Sequence, residues 1–147
     1  MARKSIREML AEEELRNLSK KRKAIEILPQ RIKALEHGYT AIRSAASDGI
    51  PVSGGTNARD DRLVKNISDR DFLQAELNEA IETVGAVENA LLQLSNRERT
   101  ILDRFYINRT NDYIERLKDE LSVEQSQIYR DKDMALYNFT VAFFGRR

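Results

Sequence analysis

Apolar residues recur at alternating spacings of three and four along the first third of the chain, as in a coiled-coil helix. The positions are Leu18, Ile25, Leu28, Ile32, Leu35, Tyr39, Ile42 and Ala46. Pro29 interrupts this stripe, and a proline inside a helix removes one backbone hydrogen bond at a cost of about 3 kcal/mol. We therefore expect a kink or a break near Leu28, where a break would leave the first helix in two pieces.

A second apolar stripe with the same spacing follows in residues 59–94. Its members are Leu63, Ile67, Leu77, Ile81, Val84, Val87, Leu91 and Leu94. Between the stripes, residues 47–58 contain Gly49, Pro51, Gly54 and Gly55, a composition that predicts a linker between helices. The two amphipathic helices can form an antiparallel hairpin within one chain, or each can pair across a dimer, and the spacing alone leaves both open.

The pattern changes after Leu94 to three shorter helices separated by polar breaks. Ser95 with Glu98 three residues later predicts a capping box, Asp112 is placed to cap a second helix, and Ser122 with Gln125 predicts the start of a third. The expected buried positions are Leu102, Phe105, Ile114, Leu117, Leu121, Ile128, Ala135 and Phe139. A short helix, a tight turn and a longer helix form a helix-turn-helix, whose second helix enters the major groove of DNA.

The predicted fold is therefore all-α, in two parts. Residues 1–94 form a long, coiled-coil-like helical hairpin that oligomerises or binds a partner, with its linker at 47–58. Residues 95–147 form a three-helix unit that contains the helix-turn-helix and binds DNA.

The last third of the chain also resembles known DNA-binding proteins. LSNRERTILDRFY, then Ile114, Leu117 and Leu121, then SVEQSQIYRDKDMALYNF resemble region four of bacterial sigma factors, with Ala135 and Leu136 as that region's late Ala-Leu pair. The ending IYR…AL..F…FG is similar to phage and prophage regulators of the ArpU type, which control late operons. The resemblance implies a DNA-binding helix-turn-helix, with Ser122 at the turn position that is often Gly.

The outward face of the third helix holds the candidate DNA contacts. With Ile128, Ala135 and Phe139 facing inward, a rotation of about 100° per residue turns a polar set outward. The predicted DNA-binding residues are Arg109, Asn111, Gln125, Ser126, Gln127, Tyr129, Arg130 and Asp133. Arg pairs with guanine, Gln pairs with adenine, and Tyr can donate to phosphate. Arg109 and Asn111, in the turn before the motif, are expected to touch backbone phosphate.

Charge is distributed unevenly along the chain. Residues 1–47 hold 11 basic and 6 acidic side chains, a net of +5, and residues 48–94 hold 4 and 9, a net of −5. Residues 95–147 hold 10 and 9, so one DNA-binding unit should bind weakly and tight binding should need several copies. The basic run Lys20, Lys21, Arg22 and Lys23 fits either a solvated helix face or a phosphate-contacting patch.

Catalytic and metal-binding chemistry finds little support in the sequence. The chain has 0 Cys and one histidine, His37, so thiolate chemistry is excluded and a histidine-based triad has no visible partners. Asp69 and Asp71 point to different sides of a helix. We therefore predict a protein that is not an enzyme and has no cofactor and no metal site. A charged N-terminus without an apolar segment and the lack of a membrane-length apolar run predict a cytoplasmic protein. The resemblance to phage and prophage regulators implies that the cell is a bacterial host.

The function expected from these features is phage-type transcriptional regulation at late operons. Its partners would be double-stranded DNA and RNA polymerase, with a homo-oligomer, a dimer in preference, built by the N-terminal helices. Two alternatives remain open at this point. One is a small-terminase-like packaging protein, which would form a ring, and the other is a coiled-coil adaptor that does not bind DNA.

Overall fold

The computed structural model describes residues 3–45 and 55–145, and 89% of these residues are helical, without a strand among them. The elements are α1 (Ile6–Ala45), α2 (Gly55–Leu92), α3 (Asn96–Leu102), a π-helical segment (Asp103–Ile107), α4 (Tyr113–Leu121) and α5 (Gln125–Phe144). The predicted all-α fold, a long N-terminal helix pair followed by shorter helices, is confirmed.

Helix α1 is one uninterrupted helix with Pro29 inside it. Of the kink or break expected near Leu28, the break into two pieces is therefore wrong. Pro29 is exposed, while its neighbour Leu28 is buried. Packing of the helix on both sides of Pro29 offsets the free-energy cost of the one backbone hydrogen bond that proline cannot make. The start of α1 is fixed by a capping box that the sequence analysis missed. The Ser5 backbone N–H donates to Glu8 Oε2 at 2.8 Å, and the Glu8 N–H donates to Ser5 Oγ at 3.2 Å.

Helix α2 begins at Gly55, four residues before the predicted start of the second helix at 59. The linker prediction is therefore wrong for residues 55–58. Residues 47–54 of that linker, and Ala46 at the end of the first stripe, lie outside the described residues.

The chain forms two compact units that divide it differently from the predicted boundary at 94/95. We call Met1–Lys21 with Glu82–Arg147 the core unit, and Arg22–Ile81 the hairpin unit. The first turns of α1 thus belong to the same unit as α3, α4 and α5.

In the hairpin unit, α1 and α2 contact each other through polar side chains. Asn66 Nδ2 donates to the Leu35 carbonyl at 2.9 Å, and the Arg70 guanidinium lies 4.9 Å from the centre of the Tyr39 ring. Leu35 lies 10 residues before the end of α1 and Asn66 lies 11 residues after the start of α2, as an antiparallel hairpin requires.

The inner face of α2 differs from the predicted stripe at two positions. Ile67 is 41% exposed and Ile81 is 51% exposed, so both assignments to the apolar seam are wrong. Asn66 and Ala80, one residue earlier in each case, are buried instead. Apart from Asp69, whose side chain is 45% exposed, the shielded positions of α2 within this unit keep a strict alternation of four and three: Arg59, Leu63, Asn66, Arg70, Leu73, Leu77 and Ala80.

The core unit has the apolar interior that the sequence predicts for the three-helix part. Among the expected positions, Leu102, Phe105, Leu117, Ile128, Ala135 and Phe139 are buried, whereas Ile114 and Leu121 are half-buried. The π-helical segment, whose last bond runs from the Asn108 N–H to the Asp103 carbonyl at 2.7 Å, was not predicted. It contributes two consecutive buried aromatic residues, Phe105 and Tyr106.

Candidate nucleic-acid interface

The turn between α4 and α5 is formed by Ser122, whose φ of 54° places it in the left-handed region. Helix α5 starts only at Gln125, with Glu124 at the N-cap position, so the predicted start at Ser122 and its capping box are wrong. A left-handed residue reverses the chain at the end of a helix, and glycine adopts this conformation most readily. Ser122 therefore ends α4 rather than beginning α5.

Asp112 occupies the N-cap position of α4 as predicted, but its carboxylate does not cap the helix. It accepts hydrogen bonds from Thr110 Oγ1 at 2.7 Å and from Arg116 Nε at 3.0 Å. These two hydrogen bonds hold the pKa of Asp112 below its usual range, and the one from Thr110 has the larger effect. The loop that leads into α4 is therefore tied to the first turn of that helix.

Polar contacts from α3 fix the orientation of α5. The predicted capping box of Ser95 and Glu98 is confirmed, and Glu98 also accepts a hydrogen bond from Asn138 Nδ2 at 2.6 Å. Although partial burial opposes the shift, these hydrogen bonds lower the pKa of Glu98. One end of α3 is thereby attached to the middle of α5.

Asp131 makes a second link between these helices. Arg97 Nη2 lies 2.6 Å from Asp131 Oδ2, and Gln127 Nε2 donates to Asp131 Oδ1 at 2.7 Å. The Arg97 hydrogen bond, followed by that of Gln127, lowers the pKa of Asp131. Because Gln127 is half-buried and engaged with Asp131, it is the predicted DNA contact least available to a base.

The other predicted contacts on α5 lie on its outer face. Gln125, Ser126, Tyr129 and Arg130 are exposed, and together they cover the first two turns of the helix. Asp133 is exposed one turn further on, with its carboxylate 2.8 Å from Lys132 Nζ. The structure thus gathers four of the predicted side chains on the part of α5 that a major groove would meet first.

The Tyr129 ring packs against the π-helical segment. Its ring stands edge-on to Phe105, with 5.9 Å between ring centres and an angle of 77°. Lys132 Nζ lies 5.7 Å from the centre of the same Phe105 ring. These contacts restrict Tyr129 and Lys132, so their polar ends have a defined direction.

The two candidate phosphate contacts lie in the turn before α4, and both are exposed. The Arg109 guanidinium lies 4.3 Å from the centre of the Tyr113 ring and donates to Tyr113 Oη at 3.0 Å. A guanidinium that stacks on an aromatic ring loses less rotational freedom when it binds an anion. Asn111 stands beside it in the same turn.

A groove of about 620 Å³ borders α5 and includes residues that the sequence analysis missed. Its lining residues are Arg3, Lys4, Glu8, Tyr129, Arg130, Lys132, Asp133, Met134, Leu136 and Tyr137. Three of these belong to the N-terminal end of the chain, more than a hundred residues before α5. No local pattern signals a contact at such a separation.

A buried hydrogen bond fixes the N-terminal part of α1 within the core unit. Tyr106 Oη donates to Glu12 Oε1 at 2.9 Å, and Glu12 also pairs with Lys4. Arg16 lies over the Tyr106 ring, 5.4 Å from its centre. Burial, followed by the negative charge of Glu12, raises the pKa of Tyr106 above its usual value, so the phenol stays protonated as a donor.

The basic run on α1 is partly engaged by acids. Lys21 Nζ lies 3.3 Å from Glu14 within the core unit, and Lys23 Nζ lies 3.7 Å from Glu26 within the hairpin unit. Among residues 3–45 and 55–145, no group of three or more His, Asp or Glu side chains is arranged to hold a metal ion. None of the helices described is long and apolar enough to span a bilayer.

Comparison of the chain with profiles of known protein families, with curated proteins and with solved structures found no match.

Proposed function

We propose that the protein is a phage-type DNA-binding transcriptional regulator that acts at late operons and inserts α5 into the major groove. The observation that carries the proposal is the division of α5 into two faces. Ile128, Ala135 and Phe139 are fully buried, while Gln125, Ser126, Tyr129 and Arg130 are exposed in its first two turns. The tight turn at Ser122 and the resemblance to sigma region four and ArpU-type regulators support the same function.

Each exposed side chain has a role suited to its chemistry. Arg130 pairs with a guanine edge, Gln125 pairs with adenine, and Asp133 accepts from the amino group of cytosine. Ser126 and Tyr129 donate to bases or phosphates near the start of the helix. Arg109 and Asn111 contact the phosphate backbone from the turn before α4 and set the position of the unit on the duplex.

The hairpin unit supplies the second half of the proposed mechanism by joining two copies of the chain. Val64, Ile67 and Phe72 are exposed apolar side chains on α2, which a partner helix could cover. Two DNA-binding units on one dimer raise the effective concentration of each at its half-site. The resulting gain in affinity offsets the weak binding that we expect from a single unit, because the charge of residues 95–147 is nearly balanced. RNA polymerase is the second proposed partner of these helices, in the cytoplasm of a bacterial host cell.

Substitution of Arg130 by Ala tests the placement of α5. On a duplex selected by the wild-type chain from random sequence, we expect Arg130→Ala to weaken binding by about 1–3 kcal/mol, mostly at one base pair. Arg31→Ala is the matched control, because it removes the same charge from an exposed position of the hairpin unit. Unchanged binding by Arg130→Ala would show that α5 does not enter the major groove. Wild-type protein that binds no duplex at low salt would favour the adaptor that does not bind DNA.

The mass of the protein in solution separates the regulator from a packaging factor. We expect a dimer of the 17.0 kDa chain. A closed ring of many copies would contradict the regulator and favour the small-terminase-like alternative.

A further inference from the structure

The groove beside α5 is lined from two ends of the chain and is predominantly cationic. One set of lining residues is Arg3, Lys4 and Glu8, and the other lies on the second to fourth turns of α5. Four of the lining side chains are basic, namely Arg3, Lys4, Arg130 and Lys132, and two are acidic, Glu8 and Asp133. The groove therefore carries a formal excess of two positive charges.

Two of the four cations already have acidic partners within the unit. Lys4 pairs with Glu12, and Lys132 lies 2.8 Å from the Asp133 carboxylate. Glu8 is itself engaged, since it accepts the Ser5 backbone N–H at 2.8 Å. Both acidic side chains of the groove are thus held by sequence neighbours, Glu8 by Ser5 and Asp133 by Lys132.

The two arginines remain available to an outside anion. The side chains of Arg3 and Arg130 are exposed, and neither has a hydrogen bond or ion pair with any residue in 3–45 or 55–145. Arg130 acts on Asp131 only through its charge. A planar guanidinium matches the geometry of a phosphate with two parallel hydrogen bonds.

The N-terminal segment that carries Arg3 is attached firmly to the core unit. The capping box of Ser5 and Glu8 orders the first turn of α1, and Lys4 is tied to Glu12. Glu12 in turn accepts the buried hydrogen bond from Tyr106. Arg3 is therefore presented beside α5 by a fixed element of the same unit, which reduces the entropy lost when it binds a ligand.

We propose that Arg3, with Lys4 beside it, contacts the DNA phosphate backbone next to the major groove that α5 occupies. This inference rests on the proposed function, and it assigns to the N-terminal residues a place in the same interface. The first turns of a recognition helix meet base edges, and the backbone runs along the groove further from them. The surface groove continues from these α5 residues to Arg3 and Lys4, which lie off the helix, and a backbone phosphate would lie at that end.

The salt dependence of binding tests the contact directly. For Arg3→Ala we expect the slope of log K against log salt to fall by about 0.9, equally on the selected duplex and on random-sequence duplex. Arg3→Lys should retain the slope, and Arg31→Ala serves as the charge-matched control. An unchanged slope would overturn the proposal. Tighter binding by Arg3→Ala would also overturn it, because the N-terminal segment would then obstruct α5.

A second measurement locates Arg3 on the DNA. The chain has 0 Cys, so Arg3→Cys provides a single attachment point for an iron chelate that cleaves nearby DNA. We expect cleavage confined to one edge of the footprint from position 3. No cleavage from position 3, or cleavage spread evenly over the footprint, would overturn the proposal.

The two proposals fail in distinguishable ways. If the wild-type chain binds DNA and Arg130→Ala weakens it, but the Arg3 variants behave as wild type, only the role of Arg3 is lost. If the wild-type chain binds no duplex, or Arg130→Ala binds unchanged, the proposed function fails and this contact fails with it.

Discussion

The core unit and the hairpin unit share the same spacing of shielded positions along α2, but they fill those positions with different side chains. In the core unit the positions hold Val84 and Val87, which are buried. In the hairpin unit they include Arg59, Asn66 and Arg70. One continuous helix therefore contributes an apolar seam to one unit and a partly polar seam to the other.

The polar seam has an energetic consequence. Arg59 Nε, Asn66 Oδ1 and Arg70 Nε are buried without a hydrogen-bond partner in the described structure, and all three belong to the hairpin unit. A buried polar atom that lacks a partner costs roughly 1–3 kcal/mol relative to a paired one. The hairpin unit should consequently open more readily than the core unit, although both are almost entirely helical.

The largest expected difference between the units comes from removing one phenylalanine in each. Phe139 is completely buried in the core unit, so Phe139→Ala should lower the free energy of unfolding by about 3–5 kcal/mol. Phe72 is 70% exposed in the hairpin unit of a single chain, so at protein concentrations low enough for the chain to be monomeric Phe72→Ala should change the free energy of unfolding by less than about 0.5 kcal/mol. Urea unfolding followed by circular dichroism measures both. Similar losses for the two variants would abolish the contrast.

Replacement of Asn66 by Leu should convert part of the polar seam into an apolar one. The change removes the bond to the Leu35 carbonyl but also removes the unpaired Oδ1, and we expect a gain of about 1 kcal/mol in local stability. Amide hydrogen exchange in residues 59–77 should slow. Asn78→Leu, on the exposed side of α2, is the control and should have little effect. Faster exchange in Asn66→Leu would instead show that the Asn66 hydrogen bond holds the hairpin together.

The smallest effect concerns pH and the link between α3 and α5. The folded pKa of Asp131 lies below its ordinary value of 3.8, mainly through the hydrogen bond from Arg97. Its ionised form therefore adds stability above that value, and the contribution disappears as the pH falls through the lowered folded pKa. Both partners are partly exposed, so Asp131→Asn should cost at most about 1 kcal/mol near neutral pH.

The pH dependence of that cost is the decisive observation. Thermal unfolding of Asp131→Asn and of wild type should converge in acid, because the wild-type carboxylate is then protonated as well. Asp133→Asn is the control, since Asp133 is much more exposed. A difference between Asp131→Asn and wild type that persists at low pH would assign the loss to packing.

Local patterns were sufficient for the faces and caps that depend on nearby residues. Ser95 and Glu98 form the predicted capping box, and the spacing of Ile128, Ala135 and Phe139 places α5 with its polar side outward. The failures occurred where two local preferences competed. Ser122 has the chemistry of an N-cap but adopts a left-handed conformation, a state that sequence preference assigns to glycine.

Choosing positions by hydrophobicity assigned the wrong residue to the α2 seam at Ile67. A stripe chosen by hydrophobicity selects Ile67, although Asn66, one residue earlier and about 100° around the helix, is the buried one. Asn66 is tolerated there because its amide reaches the Leu35 carbonyl on α1. The groove that includes Arg3 and Arg130 was likewise beyond prediction, since only the three-dimensional path of the chain brings these residues to one surface.

The hydrogen bond between Tyr106 and Glu12 joins residues that are 94 positions apart, and this separation determines when the core unit can form during translation. A ribosome releases α1 first, while the segment that covers Leu15 and Leu18 in the finished unit has yet to be translated. Closure of the long loop between Glu12 and Tyr106 is slow compared with helix formation. The apolar face of the nascent α1 therefore stays exposed until the later helices are translated and pack on it. Phe139, which is completely buried in the core unit, emerges later than Tyr106. A ribosome that stalls shortly before it therefore leaves a chain that presents this face to chaperones and proteases.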